Sequence, residues 1–196
     1  MVSVIGVCSP YKPFPVIIKR NKHLFRHIST VLDVGCGDGR FVRFFLNNYD
    51  NVTDYIAIEP SEELIKKIGI KDPRLTVIRS LWECLRSTLS KRRFDVVILW
   101  DVLMFMDLRG IYGVDDHLKA SMVLLSEMIG MTDKYFLFSL HPVKSGFISR
   151  RDFKRILHFL DTHPNLRLMD KKYLNRLYIT AHSKIPLREP PPHLID

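Results

Sequence analysis

Apolar residues recur along this chain with two periods, and stretches of one alternate with stretches of the other. Residues 31–34, 55–59, 75–79, 94–100 and 135–140 are short apolar runs bounded by polar or turn-forming positions, and each predicts a buried strand. Between them apolar side chains return every three or four residues, the repeat of one helix face. The spacing predicts a helix over 38–48, with Phe41, Phe44, Phe45 and Leu46 inward, and another over 81–89. Ser61 caps a helix whose first turn holds Glu62 and Glu63 and which Gly69 ends. A hydroxyl satisfies the free N–H groups at such a start, and glycine tolerates the left-handed turn after the last residue. Asp115 is expected to cap a longer helix striped by Leu118, Met122, Leu125 and Ile129 and stopped at Gly130. Ser149 and Asp152 have the form of a capping box ahead of Phe153, Ile156, Leu157 and Leu160.

The alternation stops near the end. Residues 166–169 and 174–181 both read as strands, and only Asp170, Lys171, Lys172 and Tyr173 separate them. That connection is too short for a crossover helix, so the two must pair antiparallel. Five strand–helix units and this closing pair predict an α/β fold: a mostly parallel seven-stranded sheet with helices on both faces and a C-terminal antiparallel β-hairpin. Ligands in such sheets bind beyond the carboxyl ends of the strands, near where the strand order reverses. Around this domain, over residues 29–183, the expectation is a basic extension over residues 1–28 and a Pro-rich tail over residues 184–196.

Length agrees with one domain, and 196 residues can bury a core without help from a disulfide or a metal. The apolar run through Trp100 ends at Asp101, far short of the roughly 20 residues that span a bilayer. Residues 1–7 lack the basic stretch that opens a signal peptide. Cys8, Cys36 and Cys84 form no C-x-x-C pair, a usage that fits a reduced, cytoplasmic protein without a membrane partner. Charge is uneven. Residues 1–32 hold five basic side chains and no acid, residues 33–143 hold 14 basic and 16 acidic, and residues 144–188 hold 11 basic and three acidic. Basic ends around a near-neutral middle suggest an anionic partner, nucleic acid first, or else a plain basic surface.

The first strand runs into Asp33-Val34-Gly35-Cys36-Gly37-Asp38-Gly39. Three glycines let the backbone turn tightly and approach a ligand with no Cβ in the way, and the turn feeds a helix N-terminus that favours anionic groups. Read alone, this is either a ligand loop or a tight turn. The spacing is G-x-G-x-G, and Arg40 breaks the dinucleotide pattern G-x-G-x-x-G. Glu59 ends the second strand, where an acid in nucleoside-binding folds accepts hydrogen bonds from ribose hydroxyls.

Together these segments resemble the class I S-adenosylmethionine-dependent methyltransferases. Residues 31–39 resemble the first motif of that family, residues 56–61 the second, and residues 94–103 the strand-four motif, while the closing hairpin is similar to the family's end of the sheet. The resemblance covers residues 28–182 and implies a Rossmann-like fold with S-adenosyl-L-methionine as cofactor. It implies that Gly35, Cys36, Gly37, Asp38 and Gly39 line the methionine and ribose parts. Asp33 would orient the loop or meet the cofactor's amino group, directly or through water. Glu59, followed by Pro60, would hold both ribose hydroxyls. Many relatives place an acid after the third strand to hold the adenine, but this chain has Ser80, Leu81 and Trp82. Either Leu81 or Trp82 covers the ring, or Trp82 is core on its own helix.

The fourth strand ends in Trp100 and Asp101, without the Pro-Pro-aromatic sequence of enzymes that methylate exocyclic base nitrogens, so DNA amino methylation is disfavoured. Trp100 is expected to face the cofactor. Asp101 is either a catalytic group or the cap of residues 102–106. His141, after the fifth strand, either accepts a proton during transfer or is a bystander. His23 and His27 stand four apart with no third ligand nearby, so no metal site is expected. The reading is a methyltransferase whose acceptor is undefined, with RNA or another polyanion favoured through the basic N- and C-terminal segments. Its alternatives are a small-molecule or protein methyltransferase, or a non-catalytic scaffold of the same fold.

Overall fold

The computed structural model describes residues 15–140, 148–172 and 175–180. Within them the strands are β1 (Thr30–Val34), β2 (Asp54–Ile58), β3 (Leu75–Ile78), β4 (Phe94–Trp100), β5 (Thr132–Ser139), β6 (Leu166–Lys172) and β7 (Asn175–Thr180). They form one sheet in the order β3-β2-β1-β4-β5-β7-β6. β7 runs antiparallel to both β5 and β6, and the other neighbours are parallel. This is the Rossmann-like α/β sheet with the expected closing hairpin. The helices are α1 (Val16–Arg20), α2 (Arg40–Asn48), α3 (Glu62–Ile68), α4 (Trp82–Leu89), α5 (Arg109–Tyr112), α6 (His117–Gly130) and α7 (Arg150–Asp161). Among the described residues no helix is long and apolar enough to cross a membrane.

The central strands are apolar throughout because both their faces are covered, and successive side chains feed opposite cores. Leu32, Val34, Ile56, Ile58, Val97 and Leu99 pack with residues of α4, α6 and α7. Val31, Tyr55, Ala57, Val96 and Ile98 pack with α1, α2 and Ile68 of α3.

Local signals set most helix ends. Ser61 Oγ accepts from Leu64 N at 3.4 Å, and Gly69 closes α3 in the left-handed region. Ser149 Oγ accepts from Asp152 N at 3.2 Å. The cap of α6 is not Asp115 but Asp116, whose Oδ1 accepts from Leu118 N at 2.8 Å and Lys119 N at 3.3 Å. Either aspartate satisfies the local rule, and tertiary packing of the helix chooses the second. α6 also buries Ala120, Ser121, Leu124 and Met128 beside three of the expected stripe residues, because it lies on the sheet with α5 and α7 beside it.

Residues 16–28, expected to extend ahead of the domain, pack into its core. Ile17, Ile18, Phe25 and Ile28 are buried. The Phe25 ring meets Phe45 and Tyr135 edge-on, with centroids 5.2 and 5.5 Å away. Arg20 Nε donates to Asp170 Oδ2 of β6 at 2.7 Å, and Asn21 donates to the same carboxylate at 2.5 Å. Lys12 of the extension and the Pro-rich tail lie outside the described residues.

Candidate functional site at the carboxyl edge of the sheet

Register places the strand ends in one row. Val34 pairs with Ile58 on one side and Leu99 on the other; Trp100 pairs with Ser139, Ser139 with Asn175, and Asn175 with Lys172. The strand order reverses between β1 and β4, so the crevice for a ligand opens there.

The loop after β1 is pinned to β2. Gly35 N and Cys36 N both donate to Ile58 O, at 2.8 and 3.0 Å. Gly35, Gly37 and Gly39 all have positive φ, but their surroundings differ. A Cβ on Gly35 would stand 2.9 Å from Val102 Cβ and closer still to its Cγ2. Gly35 therefore admits the segment after β4 against the loop. A Cβ on Gly39 would crowd Ile68 of α3 at 3.0 Å. At Gly37 nothing lies within 4 Å, so this glycine faces open space beside the crevice.

Glu59 borders that space. Its Oε2 accepts from Gly37 N and its Oε1 from Ser61 N, each at 3.0 Å. Burial raises the Glu59 pKa, and the two backbone donors oppose the rise. Each oxygen keeps a lone pair for a ligand hydroxyl. Asp33 lies beneath the loop, fully buried, and accepts from Tyr55 OH at 2.8 Å. Desolvation pushes its pKa up to about 7, with the Glu59 charge adding to the rise and the Tyr55 hydrogen bond working against it. The Cys36 side chain enters the core, where burial and the nearby acids push its thiol far up, so Cys36 reaches the site by backbone alone. Asp38 turns toward Arg43 at 3.6 Å, whose Nη1 also donates to the Asp38 carbonyl at 2.8 Å.

At the β3 end the two candidates separate. Trp82 is 2% exposed and packs in the core, whereas Leu81 is 45% exposed. Trp82 is therefore core on its own helix, and Leu81 is the apolar side chain left at the surface beyond β3. Ser80 Oγ donates to Leu81 O at 3.0 Å, and Pro60 sits half-buried between Glu59 and the Ser61 cap.

At the β4 end Trp100 is half-buried against Phe41 of α2, with centroids 5.2 Å apart. Asp101 has φ 57°, the one non-glycine residue in the left-handed region among the described residues. It does not cap the turn Leu103–Phe105, whose cap position is Val102. Instead the Asp101 Oδ1 accepts from the buried Ser139 hydroxyl at 2.5 Å, and Ser139 Oγ stands 2.8 Å from the Asn175 side-chain amide. A hydroxyl has one proton, and Asp101 Oδ1 and Asn175 Oδ1 are both acceptors within its reach, so Ser139 donates to one of them at a time. Ser139 and Asn175 were missed in the sequence. The available signal was a polar residue closing an otherwise apolar strand. His141 lies outside the described residues.

The arrangement offers acceptors for hydroxyls at Glu59, a glycine-floored opening at Gly37, an apolar flank at Leu81 and a strained carboxylate at Asp101. Residues 14–109 match the family described as a methyltransferase domain. No curated protein sequence matches the chain. Similar solved structures include monomeric WbdD, at 18% identity and TM-score 0.57 over 85% of this chain. The chain spans 40% of the length of WbdD. A SAM-dependent methyltransferase from Archaeoglobus fulgidus is similar at 18% identity and TM-score 0.51, over 80% of this chain and 70% of that one. The 16S rRNA methylase ArmA is similar at 16% identity and TM-score 0.50, over 83% of this chain and 81% of that one.

Proposed function

We infer that this chain, which belongs to the class I family of S-adenosylmethionine-dependent methyltransferases, binds S-adenosyl-L-methionine across the loop of residues 35–39 and passes a methyl group to an acceptor beside the ends of β4 and β5. The observation that carries the reading is the pairing of Gly37 with Glu59. The residue that needs no side chain for packing is the one hydrogen-bonded to an acid at the end of β2. A tight turn made for its own sake has no need of a buried acid bound to the one loop glycine that faces open space.

When bound, the cofactor supplies a methyl group activated on a sulfonium. This chain's residues do the rest. Glu59 accepts from the ribose hydroxyls while its backbone partners hold the loop in place. Leu81 covers the adenine. Asp33, hydrogen-bonded to Tyr55 beneath the loop, orients the loop or meets the amino group of the ligand. Asp101, held by Ser139, orients an acceptor or takes its proton. Positioning of this kind is worth up to roughly 7–11 kcal/mol of the barrier.

Calorimetric titration with S-adenosylmethionine, S-adenosylhomocysteine and NAD tests the proposal. The first two are expected to bind and NAD is not. Glu59→Ala should weaken S-adenosylhomocysteine at least tenfold, because it removes charge-assisted hydrogen bonds of about 1.5–3 kcal/mol each. Binding of NAD alone, or unchanged affinity in the Glu59 variant, would overturn the assignment.

A further inference from the structure

α7 leaves the carboxyl edge of the sheet after β5 and returns toward the opposite edge, where β6 begins. Its apolar residues Phe153, Ile156 and Leu160 are buried in the core. Its outer face carries Arg151, Lys154, Arg155 and His158, all exposed, at the i, i+3, i+4, i+7 spacing of one helix stripe. Arg151 and Lys154 lie in the first turns, where the helix dipole disfavours cations. Folding of α7 alone gives no reason for them. The acids nearby are engaged: Asp152 accepts from Ser149 Oγ at 2.6 Å and faces Arg155 at 3.7 Å, and Asp161 accepts from Tyr178 OH at 2.7 Å.

The β6 strand continues this charge. It packs beside α7 and forms the outer edge of the sheet. It ends in the exposed Lys171 and Lys172. Lys172 occupies the same row as Asn175, Ser139 and Trp100. Three strand spacings, about 14 Å, therefore separate this lysine from the end of β4. The N-terminal cations do not join the α7 stripe directly: α1 packs on the opposite face of the sheet, and Arg20 is committed to Asp170.

We propose that the outer face of α7 and the carboxyl end of β6 form a docking surface for the phosphate backbone of single-stranded RNA. The surface lies so that a nucleotide a short way along the strand reaches the crevice between β1 and β4. The charge is gathered on one helix face and the end of the adjoining strand rather than spread as a diffuse surplus. An anionic membrane would need exposed apolar side chains among the cations. The exposed large apolar residues among those described, Val16, Leu81, Phe105 and Val123, are all on other elements. A single strand presents its nucleotides without the cost of extrusion from a duplex, and RNA commonly exists in that state.

The identification of the acceptor rests on the methyltransferase reading, but the binding test does not. Fluorescence anisotropy of a labelled single-stranded RNA, without cofactor, is expected to show binding that weakens with salt. Four or five phosphate contacts give a log–log slope of about −3 to −3.5. Combined replacement of Arg151, Lys154 and Arg155 by Ala should reduce affinity at least tenfold and remove about two units of slope. Lys171→Ala should reduce affinity severalfold. Circular dichroism should be unchanged, as these side chains are exposed. Glu59→Ala should leave RNA affinity intact while lowering S-adenosylhomocysteine affinity, which separates failure of the cofactor reading from failure of this one. RNA binding indifferent to the triple replacement, no RNA binding at low salt, equal or tighter binding of single-stranded DNA, or preferential binding to phosphatidylserine vesicles would each overturn the proposal.

Discussion

Asp33 is an acid held where a carboxylate is hard to keep charged. Its neighbours are Tyr55 OH and the second buried acid, Glu59, and its pKa sits near 7 against an ordinary 3.8. The folded protein therefore keeps a proton that the unfolded chain has released between those values. Stability is fullest below pH 4 and falls as pH rises through 7, by on the order of 4 kcal/mol from this group. Asp33→Asn, which still accepts from Tyr55, should flatten that slope. Urea midpoints should match the parent at pH 4 and exceed it at pH 8, whereas midpoints that track the parent at every pH would remove the buried acid as the cause. Asp33 and Glu59 were both legible in the sequence because each sits at a fixed offset from a strand end. The contrast between Leu81 and Trp82 was not, because adjacent residues entering a helix point in different directions, and the core decides which is enclosed.

One loop uses three glycines for three purposes. Gly35 makes room for Val102, Gly39 for Ile68, and Gly37 leaves the crevice open. Ala at any of them meets a left-handed backbone cost of about 1–2 kcal/mol. Gly35→Ala adds a collision with Val102 and should be the most destabilising of the three in thermal unfolding. Gly37→Ala should pay the backbone cost alone yet lose the most affinity for S-adenosylhomocysteine relative to its stability. Equal losses of stability and affinity across the set would mean that the loop is only a turn. The G-x-G-x-G spacing marked the loop as tight, but its separate roles depend on the segment after β4 and on α3, which the chain reaches 67 and 29 residues after each glycine.

Across the whole molecule, the segment before β1 belongs to the core. Phe25 sits among Phe44, Phe45, Tyr49 and Tyr135. Phe25→Ala should cost about 3–5 kcal/mol, read from chemical denaturation. A chain beginning at residue 29 should lose cooperative unfolding, since β6 would lose its Arg20 and Asn21 partners and the aromatic cluster its centre. A truncated chain as stable as the parent would return these residues to the status of an extension. Five basic residues and no acid made residues 1–32 look like a solvated arm. Their apolar positions, Ile17, Ile18, Phe25 and Ile28, are too few and too irregularly spaced to announce a helix packed on a distant sheet.

The order of strands and helices, the closing hairpin, the glycine loop and the acid after β2 all follow from the sequence, because each depends on interactions within a few residues: side-chain period, a cap, a turn, a strand end. The cap at Asp116, the burial of Trp82, the Asp101–Ser139–Asn175 contact and the meeting of α7 with β6 at one edge do not. Each joins residues whose proximity or exposure is created by the sheet and its covering helices, so it became decided only when the whole chain had closed around its two cores.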